Sequence, residues 1–248
     1  MKRAAQVGVA VAVTTAAVVA VREISPWASA QPGDANCPTT AAQTHNWGEP
    51  SRADSFTSPA ALAGWTVYDG PGHNDNGYRT PLAVTVTDGV LTITADAHGN
   101  SGGLAWFPGQ RHGRWEICAK SLPSAETYHS VALLWPDAED WPVGGEVDFM
   151  EIVDPARQYV DGFLHYGPDN KLEQGGVAID ATQWHAWAVE WTPDRLTFFV
   201  DGQPWWETTD PTQLPPRAMH LAIQLDNFGG DTSQGGQTQV DWARQYSL

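Results

Sequence analysis

Along the chain, apolar and polar residues alternate far more often than they recur at helical spacing. AVTVTDGVLTITADA (83–97) alternates on both sides of Asp88-Gly89, and an Asp-Gly pair between two alternating runs predicts a two-residue hairpin. RWEICAKS (114–121) alternates as well, and SVALLWP (130–136) is an apolar run stopped by proline. HAWAVEW (185–191), LTFFV (196–200) and PWWETT (204–209) are separated by TPDR and by Asp201-Gly202, and they read as a three-strand meander. MHLAIQL (219–225) and TQVDWARQY (238–246) read as the last strands. No window of helical length carries a 3.6-residue period. Many short strands with tight turns predict an all-β fold, a sandwich or jelly roll of two antiparallel sheets. With no internal repeat and no linker, they predict a single domain after the N-terminal segments.

Composition narrows the functional classes. The 248 residues include 13 Lys+Arg against 29 Asp+Glu, a formal net charge of −16. Such a surface repels phosphate backbones and anionic lipid, so neither nucleic acid nor a membrane surface is expected as a partner. Neutral or cationic ligands are compatible with it, and a monomer is expected. Thirteen Trp with 24 Gly and 18 Pro suit strands, turns and aromatic surfaces.

The first thirty residues read as an address. Lys2 and Arg3 precede an apolar run, Ala4 to Val21, and the segment closes on Ala28-Ser29-Ala30. A positive start, an apolar stretch and an A-x-A end describe a secretory signal peptide over residues 1–30. The alternative is an uncleaved anchor, against which the Ala/Val composition and Gln6, Thr14 and Thr15 weigh. The expected protein is therefore secreted and extracellular. Residues 31–50 are polar and irregular and read as an N-terminal extension. Export makes a disulfide between Cys37 and Cys118 chemically accessible, and it is the favoured reading; two unpaired thiols are the alternative.

Chemistry concentrates in GGEVDFMEIV (144–153), with acids at Glu146, Asp148 and Glu151. On a plain strand i and i+2 share a face and i+5 points away. One extra residue, a β-bulge, returns i+5 to the first face and lines up all three carboxyls. Acids so close cannot all ionise easily, so at least one pKa should rise, as a proton donor beside a nucleophile requires. A solvated edge strand is the alternative for the spacing alone.

The surrounding stretch, WPVGGEVDFMEIV, resembles the active-site strand of glycoside hydrolase family 16, with its pattern E-x-D-x-x-E. HGRWEICAK (112–120) is similar to the family's YGRWEVRAK-like strand. WHAWAVEWTPDRLTFFVDG (184–202), VDWARQY (240–246) and GHNDNGYRT (72–80) resemble further family segments in the same order, so the resemblance covers about residues 51–248. It implies a β-jelly roll with a carbohydrate cleft on its concave face and a retaining mechanism without a catalytic cofactor. Carried over by position, Glu146 is the nucleophile and Glu151 the acid/base. Asp148 hydrogen-bonds the nucleophile. Trp141 matches a sugar-stacking platform, with Trp135 a second candidate for which a buried strand Trp is the alternative. Asn74 matches an asparagine that bonds sugar hydroxyls. His165 resembles a cleft histidine, a core histidine being the alternative. Gln224 stands where many members have Asn, and Arg79 where Tyr is commoner; both are candidate substrate contacts. Asp241 matches a ligand of a structural calcium.

Two glycine-rich runs carry less. GNSGG (99–103) reads as a loop between strands, and DNFGGDTSQGG (226–236) as a cleft-edge loop without calcium-loop spacing. The expected function is a secreted retaining endo-β-glycosidase. Its expected polysaccharide substrate is a β-1,3-glucan or a mixed β-1,3/1,4-glucan. The alternatives are a non-hydrolytic lectin on the same fold, a galactan-active enzyme and a transglycosylase.

Overall fold

The computed structural model describes residues 35–248. The expected signal peptide over residues 1–30 lies outside the described residues. The described chain holds one short α-helix, α1 (Ala41–Thr44), three 3-10 turns at Pro59–Gly64, His73–Asp75 and Pro81–Ala83, and strands throughout. In chain order these are β1 (Arg52–Asp54), β2 (Thr66–Val67), β3 (Gly70–Pro71), β4 (Tyr78–Arg79), β5 (Val84–Thr87), β6 (Val90–Ala95) and β7 (Asn100–Gln110). There follow β8 (Gly113–Leu122), β9 (Tyr128–Pro136), β10 (Glu146–Ile152), β11 (Tyr159–Tyr166) and β12 (Lys171–Ala178). The last are β13 (His185–Trp191), β14 (Leu196–Val200), β15 (Gln203–Thr208), β16 (Met219–Asn227) and β17 (Gly236–Tyr246). The hairpin at Asp88-Gly89 and the β13–β14–β15 meander stand as the alternation predicts.

Two sheets face each other. One runs β15-β14-β13-β8-β17-β6-β5, with β1 also on β17; the other runs β12-β11-β10-β9-β16-β7-β4-β3, with β2 also on β7. All pairings are antiparallel except the short β4–β7 pair. The space between the sheets is filled from both sides. Trp115, Trp187 and Val189 come from the first sheet, and Leu134, Val147, Leu164 and Leu221 from the second. Fully buried tryptophans such as Trp115, Trp187 and Trp191 dominate such a core, because each removes 150–250 Å² from water.

The segment read as a polar extension covers an apolar outer face. Ala188, Phe199 and Tyr246 lie outside the first sheet, and Ala41, Ala42 and Trp47 bury them. Two devices hold this cover. The Thr40 side chain caps α1 by accepting from the Gln43 N–H. The buried carboxylate of Glu116 on β8 accepts from the Ala41 and Ala42 N–H groups at 2.6 and 3.4 Å, satisfying donors that a helix start leaves open. Cys37 is bonded to Cys118 on β8, with the Cα atoms 5.9 Å apart, so the favoured pairing is the one found.

GNSGG is not a loop: Asn100 to Gly103 open β7. The glycines answer to packing. A Cβ on Gly103 would lie 2.7 Å from the Tyr68 ring, and one on Gly102 would lie 2.9 Å from Val84. Bare backbone here lets Tyr68 lie against the sheet beside Gln224.

Candidate active site

A cleft of about 760 Å³ lies over the second sheet. Its floor includes Val131 and Leu133, which pack with the buried Ala222 and with Trp135. On β9 these floor residues alternate with Ala132 and Leu134, which enter the core. Three carboxyls reach the same cleft from β10: Glu146, Asp148 and Glu151.

The register explains how they share a face. Asp148 pairs with Leu133, Met150 with Ala132 and Glu151 with Val131, so the ladder slips by one residue at Phe149. Phe149 and Met150 are consecutive and both buried in the core. This is the bulge that the i, i+2, i+5 spacing requires. Gly145 takes φ +79° at the entry to the strand, and a Cβ there would lie 3.1 Å from the His165 carbonyl oxygen. A glycine therefore lets the chain turn into β10 with Glu146 at its first position.

The triad is electrostatically stressed. Burial pushes the Glu146 carboxyl up to about 7; the Glu151 charge adds to this, while the Trp141 indole N–H and Asp148 oppose it. Burial also raises Asp148 well above the usual carboxylate range, with the Glu146 and Glu151 charges adding to it. Asp148 therefore keeps its proton and offers it to Glu146, which is the carboxylate of the two at neutral pH and above. The expected rise in at least one pKa falls on this pair. Glu151 is held differently: its Oε1 lies 2.8 Å from His129 Nδ1.

The other expected residues also reach the cleft. Trp141 is 42% exposed and stacks nearly parallel to Trp135, with ring centroids 6.5 Å apart and planes at 8°. Trp135 donates to Glu139 at 2.9 Å and is half-buried in the wall, not sealed in the core. His165 is likewise no core histidine. Its Nδ1 meets Asn170 at 2.9 Å, and its Nε2 lies 3.9 Å from Asp148. Asn74 lines the cleft from a short turn, its amide 2.8 Å from His73 Nε2. Gln224 is buried on β16 with its Oε1 free of partners.

Arg79 is in the cleft, but its guanidinium is already engaged. Nε and Nη2 donate to the two oxygens of Asp226 at 2.7 and 2.6 Å, a bidentate pair. Asp226, Phe228, His73 and His129 escaped the sequence reading. The first two fall in the run read as a cleft-edge loop, which was the available signal.

Two groupings bear on metals. Ligand atoms of Glu146, Asp148 and His165 lie within 4.8 Å of one another. All three are accounted for by the proton-sharing carboxyl pair and its neighbour. Asp241 sits outside the cleft on β17 and accepts from the Asn36 amide at 3.0 Å. Among the described residues no group of three His, Cys, Asp or Glu forms around it.

Residues 74–244 match the model of the glycosyl hydrolases family 16. A beta-glucanase of Rhodothermus marinus is 32% identical over 151 residues, covering 52% of this chain and 51% of that protein. The endo-1,3-1,4-beta-glycanase EglC of Rhizobium meliloti is 24% identical over 224 residues, covering 82% and 46%. The chain thus spans about half the length of these curated relatives. The solved laminarinase of Rhodothermus marinus superposes with a TM-score of 0.68 at 24% identity, covering 80% of this chain and 97% of that one, which establishes the shared jelly-roll fold.

Proposed function

The chain belongs to the glycosyl hydrolases family 16, and from that premise we propose that it is an exported, retaining endo-β-glycosidase acting on β-1,3-glucan or mixed β-1,3/1,4-glucan. One observation carries the proposal: the bulge at Phe149 turns Glu146, Asp148 and Glu151 into one row facing a cleft with an apolar, tryptophan-bearing wall. The names of its relatives, a beta-glucanase and an endo-1,3-1,4-beta-glycanase, support the substrate class.

Each residue then has a task. Glu146 attacks the anomeric carbon. Asp148 donates its hydrogen bond to Glu146 and, by keeping its own proton, leaves the nucleophile as the anion. Glu151 protonates the leaving glycosidic oxygen, then takes a proton from the water that cleaves the glycosyl-enzyme. Trp141 and Trp135 offer parallel faces to a sugar ring, and Asn74, His165 and Gln224 offer hydrogen-bonding groups to its hydroxyls. Arg79 serves through Asp226, as a neutral pair that fixes a polar edge. The reaction needs no cofactor, and none of its steps depends on a calcium at Asp241. The Cys37–Cys118 bond supports export, since such bonds persist in oxidising compartments. The acidic surface supports an uncharged polysaccharide as partner and a monomeric chain.

The test is incubation with a panel of β-glucans and galactans, with products read by mass spectrometry. Internal cleavage of β-1,3-linked or mixed-linkage glucan is expected. Turnover of galactans alone, or binding of glucan without any product, would overturn the proposal.

A further inference from the structure

We propose that His129 is a positioning residue for the acid/base, holding Glu151 Oε1 so that the transferable proton is carried on Oε2. The inference rests on the reading of Glu151 as acid/base given above. His129 Nδ1 lies 2.8 Å from Glu151 Oε1, and the two side chains are only 12% and 10% exposed. His129 itself does not line the main cleft. It faces an adjacent recess of about 440 Å³ together with Thr127, Phe228 and Asp231. It therefore reaches the acid from behind the cleft wall, without touching substrate.

The imidazole is fixed independently of Glu151. Its ring lies flat on Phe228, with centroids 4.0 Å apart and planes at 18°. Phe228 in turn stacks on His73 at 4.3 Å and 23°. The stack joins β9, the end of β16 and the 73–75 turn, so Glu151 meets a ring that is already oriented. This matters because the terminal torsion of a glutamate is soft and its two oxygens interchange easily. A carboxyl oxygen that accepts an N–H does not carry its own proton toward that donor. With the hydrogen on Nδ1, Oε1 is the acceptor and Oε2 is left to face the cleft.

The proton then follows one route. In the first step it passes from Oε2 to the glycosidic oxygen as the anomeric C–O bond breaks and the Glu146 carboxylate forms the ester. In the second, water gives a proton to Oε2 as its oxygen attacks the anomeric carbon and releases Glu146. The Nδ1–H···Oε1 bond persists through both, and His129 undergoes no net change.

Two variants separate the hydrogen bond from the stack. His129→Phe keeps a ring on Phe228 and removes the donor. His129→Asn keeps an N–H near the Nδ1 position and removes the ring. Each is assayed with two glycosides sharing one β-glucan oligosaccharide glycone, one with a sugar leaving group and one with 2,4-dinitrophenolate, which leaves without a proton. His129→Phe should lower kcat/KM on the sugar glycoside by about ten- to hundredfold and leave the dinitrophenyl glycoside within about threefold. His129→Asn should stay within about threefold on both. If His129→Phe does not fold, His129→Ala carries the same expectation. Equal losses on the two substrates, or a loss confined to His129→Asn, would overturn the proposal and assign His129 to packing. Glu151→Ala run alongside must show the same leaving-group split; its absence would overturn the acid/base assignment itself. A wild type inactive on both glycosides would overturn the proposed function and this inference with it.

Discussion

Replacing Glu146 by Gln should make the protein more stable, and only where Glu146 would otherwise be charged. In the unfolded chain this carboxyl titrates near its ordinary 4.5, whereas in the fold burial, with the Glu151 charge, raises it to about 7. Below pH 4.5 it is protonated in both states and costs nothing. Between pH 4.5 and 7 the unfolded chain gives up the proton and the native state keeps it, so native stability falls as pH rises; above 7 the loss is constant. At about 1.36 kcal/mol per pKa unit, the displacement corresponds to about 3 kcal/mol. Glu146 is only half-buried, and solvent screening reduces this to about 2 kcal/mol. For a chain of this size that is a rise in Tm of about 4–8 °C for Glu146→Gln at pH 8, shrinking toward zero at pH 4. Calorimetric melts of both proteins across this pH range measure it. A Tm difference that does not vary with pH, or a variant less stable than wild type at pH 8, would refute the reasoning. The gain in stability should accompany loss of turnover, as expected where an active site is held under electrostatic strain.

Activity should follow the same group with the opposite sense. The nucleophile must be ionised, so kcat/KM is expected to fall as pH drops through about 7. Asp226 is one of the charges raising Glu146, so Asp226→Asn should move that limb to lower pH; a limb that stays put or moves upward contradicts the electrostatic account. Cys37→Ser with Cys118→Ser opens a link spanning 81 residues of sequence and should cost about 4 kcal/mol in the chain-entropy picture, read as a lowered urea midpoint. Trp141→Ala should weaken binding of a β-glucan oligosaccharide by about 1–3 kcal/mol in titration calorimetry. Because Trp141 is 42% exposed, its Tm should hardly move; a large drop in Tm with normal binding would make it structural.

The strands and the triad were legible because each has a local signature. Alternation marks β5, β6, β8 and β17, and the acid spacing demands one extra residue. Two consecutive core positions, Phe149 and Met150, provide it. What could not be read are contacts made across the fold. Arg79 finds Asp226 across 147 positions and His129 finds Glu151 across 22. No periodicity records either meeting. Arg79 read as a candidate substrate contact, and its partner Asp226 sits on a distant strand. The segment 31–50 read as a polar extension because its role depends on the apolar outer face of Ala188, Phe199 and Tyr246, which appears only once the first sheet has formed. The glycines of GNSGG signalled a loop, whereas they make room for the Tyr68 ring within a strand.

The most direct test of the central claim is the configuration of the first product. Proton NMR of a β-glucan oligosaccharide during the first minutes of turnover distinguishes the anomers before mutarotation. Attack by Glu146 followed by water activated at Glu151 inverts the anomeric carbon twice, so the β anomer must appear first. An α anomer appearing first would mean a single displacement, and would contradict the role of Glu146 as nucleophile that is read from the bulged row of carboxyls.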